Sequence, residues 1–183
     1  MREMNAMKDT SADLFNIRRP ILLCGFTASG KSTIGRLLST RLSLPFYDTD
    51  EMIVARTGKS IPAIFSEGGE TLFRDLEHET AMEICGMEPS VISTGGGLMT
   101  FQRTAEPLAA VTDVVLLERD FDSCYAVVSR DPGRPLFVNS TREELYQRYA
   151  ARNEIYRKYA SCIIRNDGSP DATVDLILAA LHL

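Results

Sequence analysis

A short segment near the amino end has the spacing that phosphate-binding loops require. Residues 25–32 read G-F-T-A-S-G-K-S, which fits the pattern G-x-x-x-x-G-K-S/T. Glycines let a tight loop turn its backbone N–H groups inward, and a following helix directs its positive end to the same place. We expect Lys31 to reach the β- and γ-phosphates and the Ser32 hydroxyl to bind Mg²⁺. The predicted nucleotide-binding residues of this segment are Gly25, Ala28, Ser29, Gly30, Lys31, Ser32 and Thr33.

Two carboxylates come after the next apolar stretch of the chain. Asp48 and Asp50 flank Thr49 at the end of residues 45–50, which we predict to be a strand. Side chains alternate along a strand, so both carboxylates are expected on one side with Thr49 opposite. In an open α/β sheet, ligands bind beyond the carboxyl ends of the strands. The pair is therefore a candidate for holding a metal ion and a hydroxyl, and a solvated turn is the alternative.

A charged helical segment offers a guanidinium group for an anionic substrate. Arg74 follows Glu70 by four residues and precedes Glu77 by three, which are the spacings at which helical side chains meet. A carboxylate that orients an arginine prepares it to bind a substrate carboxylate through two parallel hydrogen bonds. An ordinary surface salt bridge is the alternative interpretation.

Three further features are candidates for the same site. A glycine triplet, residues 95–97, follows an apolar stretch and leaves backbone N–H groups open to a close approach. Arg152 lies on a long predicted helix, but that helix carries other basic residues, so a solvated face is the alternative. Residues 131–140 are rich in proline and glycine and predict a loop that can act as a lid, with Arg130 before it and Arg134 within it.

The elements that must position these residues alternate between strand and helix. Short apolar runs predict strands at residues 20–25, 45–50, 90–94, 113–118 and 161–165. Helical spacing predicts helices at residues 31–42, 51–56, 61–86, 121–129, 142–159 and 171–181, the third broken near residues 68–69. The strands are continuously hydrophobic, which is typical of a parallel sheet covered on both faces. We therefore predict a three-layer α/β/α fold with a five-stranded parallel sheet.

Composition narrows the possible functions. With 183 residues the chain suits one compact domain, which we assign to residues 19–183 after a flexible tail at 1–18. The net charge of −5 argues against nucleic acid as a partner, because such proteins usually neutralise phosphates with a basic surface. No apolar run approaches the length of a membrane span. The four cysteines form no C-x-x-C pair, so we expect free thiols.

From about residue 19 to its end, the chain resembles the shikimate kinase family of P-loop small-molecule kinases. The resemblance is carried by the phosphate loop together with Asp48-Thr49-Asp50, Phe73-Arg74-Asp75-Leu76-Glu77, Thr94-Gly95-Gly96-Gly97, Arg130 to Leu136 and Arg152-Asn153-x-x-Tyr156. The implied fold is of the P-loop kinase type, with a substrate-binding segment at about residues 48–80 and a short lid at about 130–140.

The resemblance also implies a role for each candidate residue. Asp48 would support Mg²⁺ together with Ser32, while Asp50 would bind the substrate hydroxyls and is the candidate base. Arg74 and Arg152 would grip the carboxylate of shikimate, and Gly95, Gly96 and Gly97 would lie against the substrate. Arg130 would flank the adenine of ATP, and Arg134 would close over the phosphates. The implied catalytic residues are Lys31, Asp50 and Arg134.

The implied reaction is transfer of the γ-phosphate of ATP to the 3-hydroxyl of shikimate, in chorismate and aromatic amino-acid biosynthesis. The expected free thiols suit a cytoplasmic protein, and the resemblance implies a monomer. One departure is Ala28, where the family usually has glycine; alanine fits there only if the backbone φ is not positive. The alternatives are a kinase of another hydroxy acid such as gluconate, a non-catalytic nucleotide-binding paralogue and, least favoured by the acidic charge, a nucleic-acid-binding ATPase.

Overall fold

A computed structural model of the protein describes residues 17–130 and 140–183. These residues form five strands and seven helices. In chain order the elements are β1 (Ile21–Cys24), α1 (Lys31–Leu42), β2 (Phe46–Asp48), α2 (Thr49–Thr57), α3 (Ile61–Ile84), β3 (Val91–Ser93), a 3₁₀ turn (Leu98–Thr100), α4 (Gln102–Val111), β4 (Asp113–Glu118), α5 (Phe121–Val128), α6 (Arg142–Tyr159), β5 (Cys162–Arg165) and α7 (Pro170–Ala180).

The strands form one parallel sheet in the order β2-β3-β1-β4-β5. Along β1, Ile21 and Leu23 pack under α1 and α7, whereas Leu22 and Cys24 face α3, α4 and α6. All four β1 side chains are buried, as the continuous apolar run requires of a central strand covered on both faces. The predicted three-layer fold and five-stranded parallel sheet are confirmed. The neighbours of β1 lie on opposite sides of it, so a crevice opens beyond its carboxyl end.

Several helices begin and end where their sequence signals predict. Ser169 caps α7 with Pro170 in the first turn, and Thr141 and Glu144 form a reciprocal capping box at the start of α6. The predicted break in α3 lies at Gly69, whose φ of 65° and ψ of −160° are not helical. A small separate core of Ile53, Ile64 and Phe73 joins α2 to α3.

Three details differ from the sequence-based predictions. Helix α4 was not predicted, because Phe101 at its N-cap makes no side-chain capping bond and Pro107 lies inside it. Strand β2 ends at Asp48, whose side chain caps α2, so Thr49 and Asp50 lie in a helix and the predicted strand alternation is wrong. Ile17, assigned to the tail, is buried in the core. Otherwise the predicted tail, most of the lid and Arg134 lie outside the described residues.

Candidate active site

The phosphate loop joins β1 to α1 and depends on glycine at both ends. Gly25 has a φ of 143°, and a Cβ there would lie 2.5 Å from the carbonyl oxygen of Leu117. Gly30 has a φ of 99°, and a Cβ there would lie 2.4 Å from the side-chain nitrogen of Asn166. The buried Lys31 donates from Nζ to the carbonyl oxygens of Gly25 at 3.0 Å and Phe26 at 2.9 Å. These bonds hold its ammonium group within the loop.

Ala28 has a φ of 65°, so this position does use the left-handed region. The condition stated for alanine from the sequence, a φ that is not positive, is therefore not met. An L-residue pays a steric cost in this conformation that glycine does not pay. The loop of this protein thus carries a local strain at the residue where the family usually has glycine.

Ser32 and Asp48 meet at the carboxyl ends of the central strands. Ser32 Oγ donates to Asp48 Oδ2 at 2.9 Å and lies 3.1 Å from Ser93 Oγ. The other oxygen of Asp48 accepts from the backbone N–H of Asp50 at 3.0 Å. A cavity of about 220 Å³ is lined by Thr27, Ala28, Gly30, Lys31, Ser32, Thr33, Asp48, Asp50, Thr94, Gly95 and Gly96. Both carboxylates therefore face one cavity, although a helix start positions Asp50 there.

The glycine triplet is the meeting point of the predicted substrate residues. A Cβ on Gly95 would lie 2.5 Å from a carboxylate oxygen of Asp50, and one on Gly97 would lie 2.1 Å from Nη1 of Arg74. A Cβ on Gly96 would lie 3.0 Å from Thr27 Oγ1 and 3.5 Å from Nη1 of Arg152. A side chain at Gly95 or Gly97 would displace Asp50 or Arg74, so these two glycines are required for close approach, whereas at Gly96 a small shift of Thr27 would suffice.

One backbone N–H of the triplet is already in use. The Gly95 N–H donates to Thr49 Oγ1 at 2.8 Å. The prediction that the N–H groups of the triplet are open to a ligand is therefore wrong for Gly95. The hydroxyl of Tyr156 donates to the carbonyl oxygen of Gly96 and joins α6 to the triplet. Neither Thr49 nor Tyr156 was selected as a site residue from the sequence. The reason is that each acts on the backbone of another segment, which no local pattern reveals.

Arg74 is a buried cation held by two carboxylates of its own helix. It donates from Nε and Nη2 to Glu70 at 3.1 and 2.7 Å, and from Nη1 to Glu77 at 2.5 Å. The Arg74 and Glu77 side chains are 9% and 2% exposed, which excludes an ordinary surface salt bridge. Burial lowers the pKa of Arg74, but the two carboxylates outweigh it and the pKa lies above its ordinary value. Burial raises the pKa of Glu77, and Arg74 offsets only part of this rise.

Arg152 is in a different electrostatic position. Burial lowers the pKa of its guanidinium, and the cations of Arg74 and Arg148 add to this effect, while Tyr156 and the more distant carboxylate of Glu77 oppose it. In the described part of the chain no carboxylate lies within ion-pair distance of Arg152. The cluster formed by Arg74, Arg152 and Glu77 therefore has one cation, Arg74, that direct ion pairs balance, and a second, Arg152, that Glu77 attracts only from beyond ion-pair distance. This arrangement suits a small anion.

A second cavity, of about 340 Å³, adjoins the loop on the other side of Gly30 and Thr33. It is lined by Gly30, Thr33, Ile34, Arg119, Asp120, Ser123, Asn166, Asp167, Gly168 and Pro170. Arg119 donates to the carbonyl oxygen of Ala28 at 3.3 Å, and the Asn166 amide donates to that of Ser29 at 2.7 Å. Arg130 is exposed and does not line this cavity. Arg119 and Asn166 were missed, although each directly follows a strand end, where ligands are expected.

The chain has extensive similarity to one family of known proteins. The family model described as shikimate kinase matches residues 27–182. A shikimate kinase of Pseudomonas syringae pv. syringae (strain B728a) is 39% identical over 165 residues, covering 89% of this chain and 96% of that protein. The structure of shikimate kinase from Acinetobacter baumannii in complex with shikimate has a TM-score of 0.86 and 29% identity, covering 93% of this chain and 97% of that chain.

A more distant structural neighbour bears on the gluconate alternative. The gluconokinase from Sinorhizobium meliloti 1021 has a TM-score of 0.62 and 17% sequence identity, covering 90% of this chain and 92% of that chain. That likeness shows a shared fold alone. Because the match to the family model covers most of the chain and the relatives share more than a third of their residues with it, the chain belongs to the shikimate kinase family.

Proposed function

We propose that the protein transfers the γ-phosphoryl group of ATP to the 3-hydroxyl of shikimate. The observation that carries the proposal is the convergence at residues 95–97. The phosphate loop approaches this triplet through Thr27, and Asp50, Arg74 and Arg152 approach it from three other segments. A hydroxylated acid bound against the triplet would have its carboxylate at the two arginines and its hydroxyls toward Asp50. It would lie beside the loop that holds the transferred phosphate.

The charges of the cluster support a carboxylate as the bound group. Three N–H donors of Arg74 are used by Glu70 and Glu77, and a guanidinium has more donors than these. Arg152 supplies the cation that the carboxylates of the cluster leave unbalanced. A monoanion between the two arginines would remove their repulsion. An uncharged analogue would leave Arg152 without an ion-pair partner among the described residues and the remaining donors of Arg74 unused, so the pair would also select for acids.

The chemistry requires positioning and charge stabilisation more than covalent participation by the protein. Lys31 would stabilise the charge on the β- and γ-phosphates. Asp50, beside Gly95 in the same cavity as Lys31, would orient the attacking hydroxyl and accept its proton. Arg134 is proposed, from the resemblance alone, to close over the transferred group. The phosphate then moves in line from ATP to the hydroxyl oxygen, and ADP leaves.

The oxygens at the loop fit a magnesium ion that arrives with the nucleotide. Ser32 Oγ and the carboxylate of Asp48 are hard oxygen donors on one side of the phosphate cavity. Among the described residues, no group of three or more His, Cys, Asp and Glu side chains could hold a metal ion. Mg²⁺ held by one or two protein oxygens, water and phosphates is its usual mode of binding in kinases. When bound, it would neutralise charge on the phosphates.

We propose the 340 Å³ cavity as the place of the adenine. The cavity continues from the phosphate loop through Gly30 and Thr33 and lies apart from Asp48 and Asp50. The guanidinium of Arg119 offers a flat surface for a purine ring, and Pro170 offers an apolar one. Arg130 is retained as a candidate neighbour of the adenine from the resemblance.

The cellular setting is also a proposal. We propose a monomer, because one chain supplies the phosphate loop and both arginines. We propose a cytoplasmic enzyme of chorismate biosynthesis, with all four cysteines free as a reducing compartment requires. Within the described residues, no helix has the length and apolar character to cross a membrane. The net charge of −5 remains the argument against nucleic acid as a partner.

The proposal is tested by coupled detection of ADP with purified protein, ATP, Mg²⁺ and a panel of acids that includes shikimate and gluconate. We expect turnover that depends on shikimate. Turnover with gluconate alone would assign the substrate to another acid. ATP binding without transfer to any acid would support the non-catalytic alternative. The position of the phosphate on the product, read by ³¹P–¹H correlation, should be the 3-hydroxyl.

A further inference from the structure

Phe101 is a large apolar side chain in an unexpected place. It immediately precedes α4, and its side chain is 39% exposed. A phenylalanine is usually buried when the fold uses it only for packing. This one lies four residues after Gly97, the last residue of the glycine triplet, and its ring is close to Arg74.

Because Phe101 occupies the N-cap position, the first turn of α4 has no side-chain cap. Phe101 is the N-cap residue of α4, with the extended φ of −108° and ψ of 128° that capping residues adopt, but it makes no side-chain capping bond. Ser, Thr, Asp or Asn at an N-cap accepts a hydrogen bond from a free N–H of the first turn, and phenylalanine cannot. A residue that breaks a local rule without a packing gain points to a role elsewhere.

That role is visible in the contact with Arg74. The Cζ atom of Arg74 lies 4.9 Å from the centroid of the Phe101 ring, and 5.5 Å from that of Phe73. An aromatic face attracts a guanidinium electrostatically, and more strongly when water is excluded. Glu70 and Glu77 already hold Arg74 through N–H bonds, so the ring contacts add a restraint of a different kind.

We propose that Phe101 is a positioning residue for the carboxylate of the substrate. Its ring covers Arg74 and holds the guanidinium against Glu77 and the backbone of Gly97, so that the remaining N–H donors face the bound acid. This inference rests on the proposed function. It adds a residue that the phosphate loop and the two arginines do not require, and it explains why an exposed aromatic residue occupies a helix cap.

The test replaces Phe101 with three residues that separate ring, volume and cap. Phe101→Tyr keeps the aromatic face, Phe101→Leu keeps apolar volume, and Phe101→Ser restores a capping hydroxyl. From the usual strength of a cation–π contact, we expect Leu and Ser to raise the KM for shikimate by roughly 2- to 30-fold and Tyr to stay within about twofold of wild type. The KM for ATP should not change. Phe101→Ser should also melt at the same or a higher temperature, because it gains a cap.

Stability separates a positioning role from a structural one. If Phe101 served only to hold α4 in place, Phe101→Ser would lower the melting temperature and affect both substrates. Leu176→Ser, at a 52% exposed position on α7, is the matched control for loss of an exposed apolar side chain and should leave the KM for shikimate unchanged. An unchanged KM in both Phe101→Leu and Phe101→Ser, with an active wild type, would overturn the inference alone. A wild type without shikimate turnover would instead overturn the proposed function.

Discussion

The phosphate loop and the arginine cluster are two anion-binding regions that use different physics. The loop is one continuous segment between β1 and α1, and it offers backbone N–H groups, a helix end and one lysine. The cluster of Arg74, Arg152 and Glu77 is assembled from α3 and α6 against the glycine triplet, and it offers charged side chains away from water. A backbone N–H costs little to leave solvated, whereas a buried guanidinium needs a counter-charge.

The comparison teaches where each region should be vulnerable. Mutations in the loop should act on the nucleotide and on phosphate transfer, with modest effects on stability. Mutations in the cluster should act on the acid, and their effect on stability should depend on whether the lost charge was balanced. The arginines differ on this point, because Arg74 has carboxylate partners and Arg152 does not among the described residues.

The largest effect is expected from Lys31→Met in the loop. Loss of the ammonium group removes a charge that the phosphates need more in the transition state than in the ground state. We expect kcat to fall by about 10²- to 10³-fold. Calorimetric titration should show shikimate binding within about twofold of wild type. A parallel loss of shikimate affinity would show that the two regions are not separate.

Replacing Arg74 and replacing Arg152 should affect the KM for shikimate similarly and the stability of the protein differently. Arg152→Met and Arg74→Met should each raise the KM for shikimate by roughly 10- to 150-fold, the range for losing hydrogen bonds to a charged group. Arg74→Met leaves Glu77 buried without its guanidinium, so we expect the free energy of unfolding to fall by about 3–5 kcal/mol. Arg152→Met removes an unbalanced cation and should leave stability unchanged or higher.

Urea unfolding of the ligand-free variants checks this contrast. Each variant is the control for the other, because both remove a guanidinium from the same cluster. Equal losses of stability would contradict the assignment of Arg152 as the unbalanced cation. A loss of stability confined to Arg152→Met would instead make Arg74 the unbalanced cation.

Glu77→Gln tests whether burial or the charge of Arg74 dominates the pKa of Glu77. The quantity to measure is the melting temperature as a function of pH. The folded state raises the pKa of Glu77, chiefly through burial. The contribution of this group to stability is therefore complete below its unfolded pKa and is lost as pH rises through the folded value. We expect the melting temperature of Glu77→Gln, relative to wild type, to rise from pH 4.5 to pH 8. A difference that moves the other way would mean that the charge of Arg74 outweighs burial.

The smallest effect is expected from Ala28→Gly in the loop. Glycine removes the steric cost of a φ of 65° but loosens the unfolded chain, so the net gain should be at most about 1 kcal/mol. Ser43→Gly, at a φ of 51° after α1, is the matched control outside the phosphate cavity. Thermal melts should show similar small gains for both, with a change in the KM for ATP only in Ala28→Gly. A lower melting temperature for Ala28→Gly than for wild type would contradict the inferred backbone strain at Ala28.

What the sequence predicts well is what neighbouring residues determine. The loop, the capped start of α7 and the break of α3 at Gly69 follow from local chemistry, and each is present. The approach of Asp50, Arg74 and Arg152 to one triplet depends on packing between distant segments, and only the family resemblance suggested it. The bond from Tyr156 to Gly96 and the position of Phe101 had no local signal, because tertiary contacts determine them. The start of α2 at Thr49 was predicted wrongly, because Asp48 acts as a cap.

The central claim is that Arg74 and Arg152 bind the carboxylate of shikimate beside the phosphate loop. A cycle that combines Arg152→Met with a substrate change tests it most directly: kcat/KM is measured for wild type and variant with shikimate and with its methyl ester. Wild type should prefer the acid by roughly 10-fold or more, and the variant should lose most of that preference, since Arg152 is the one of the two carboxylate partners that has no ion pair among the described residues, whereas the remaining Arg74 is already paired with Glu70 and Glu77. An equal preference for the acid in both proteins would contradict the claim.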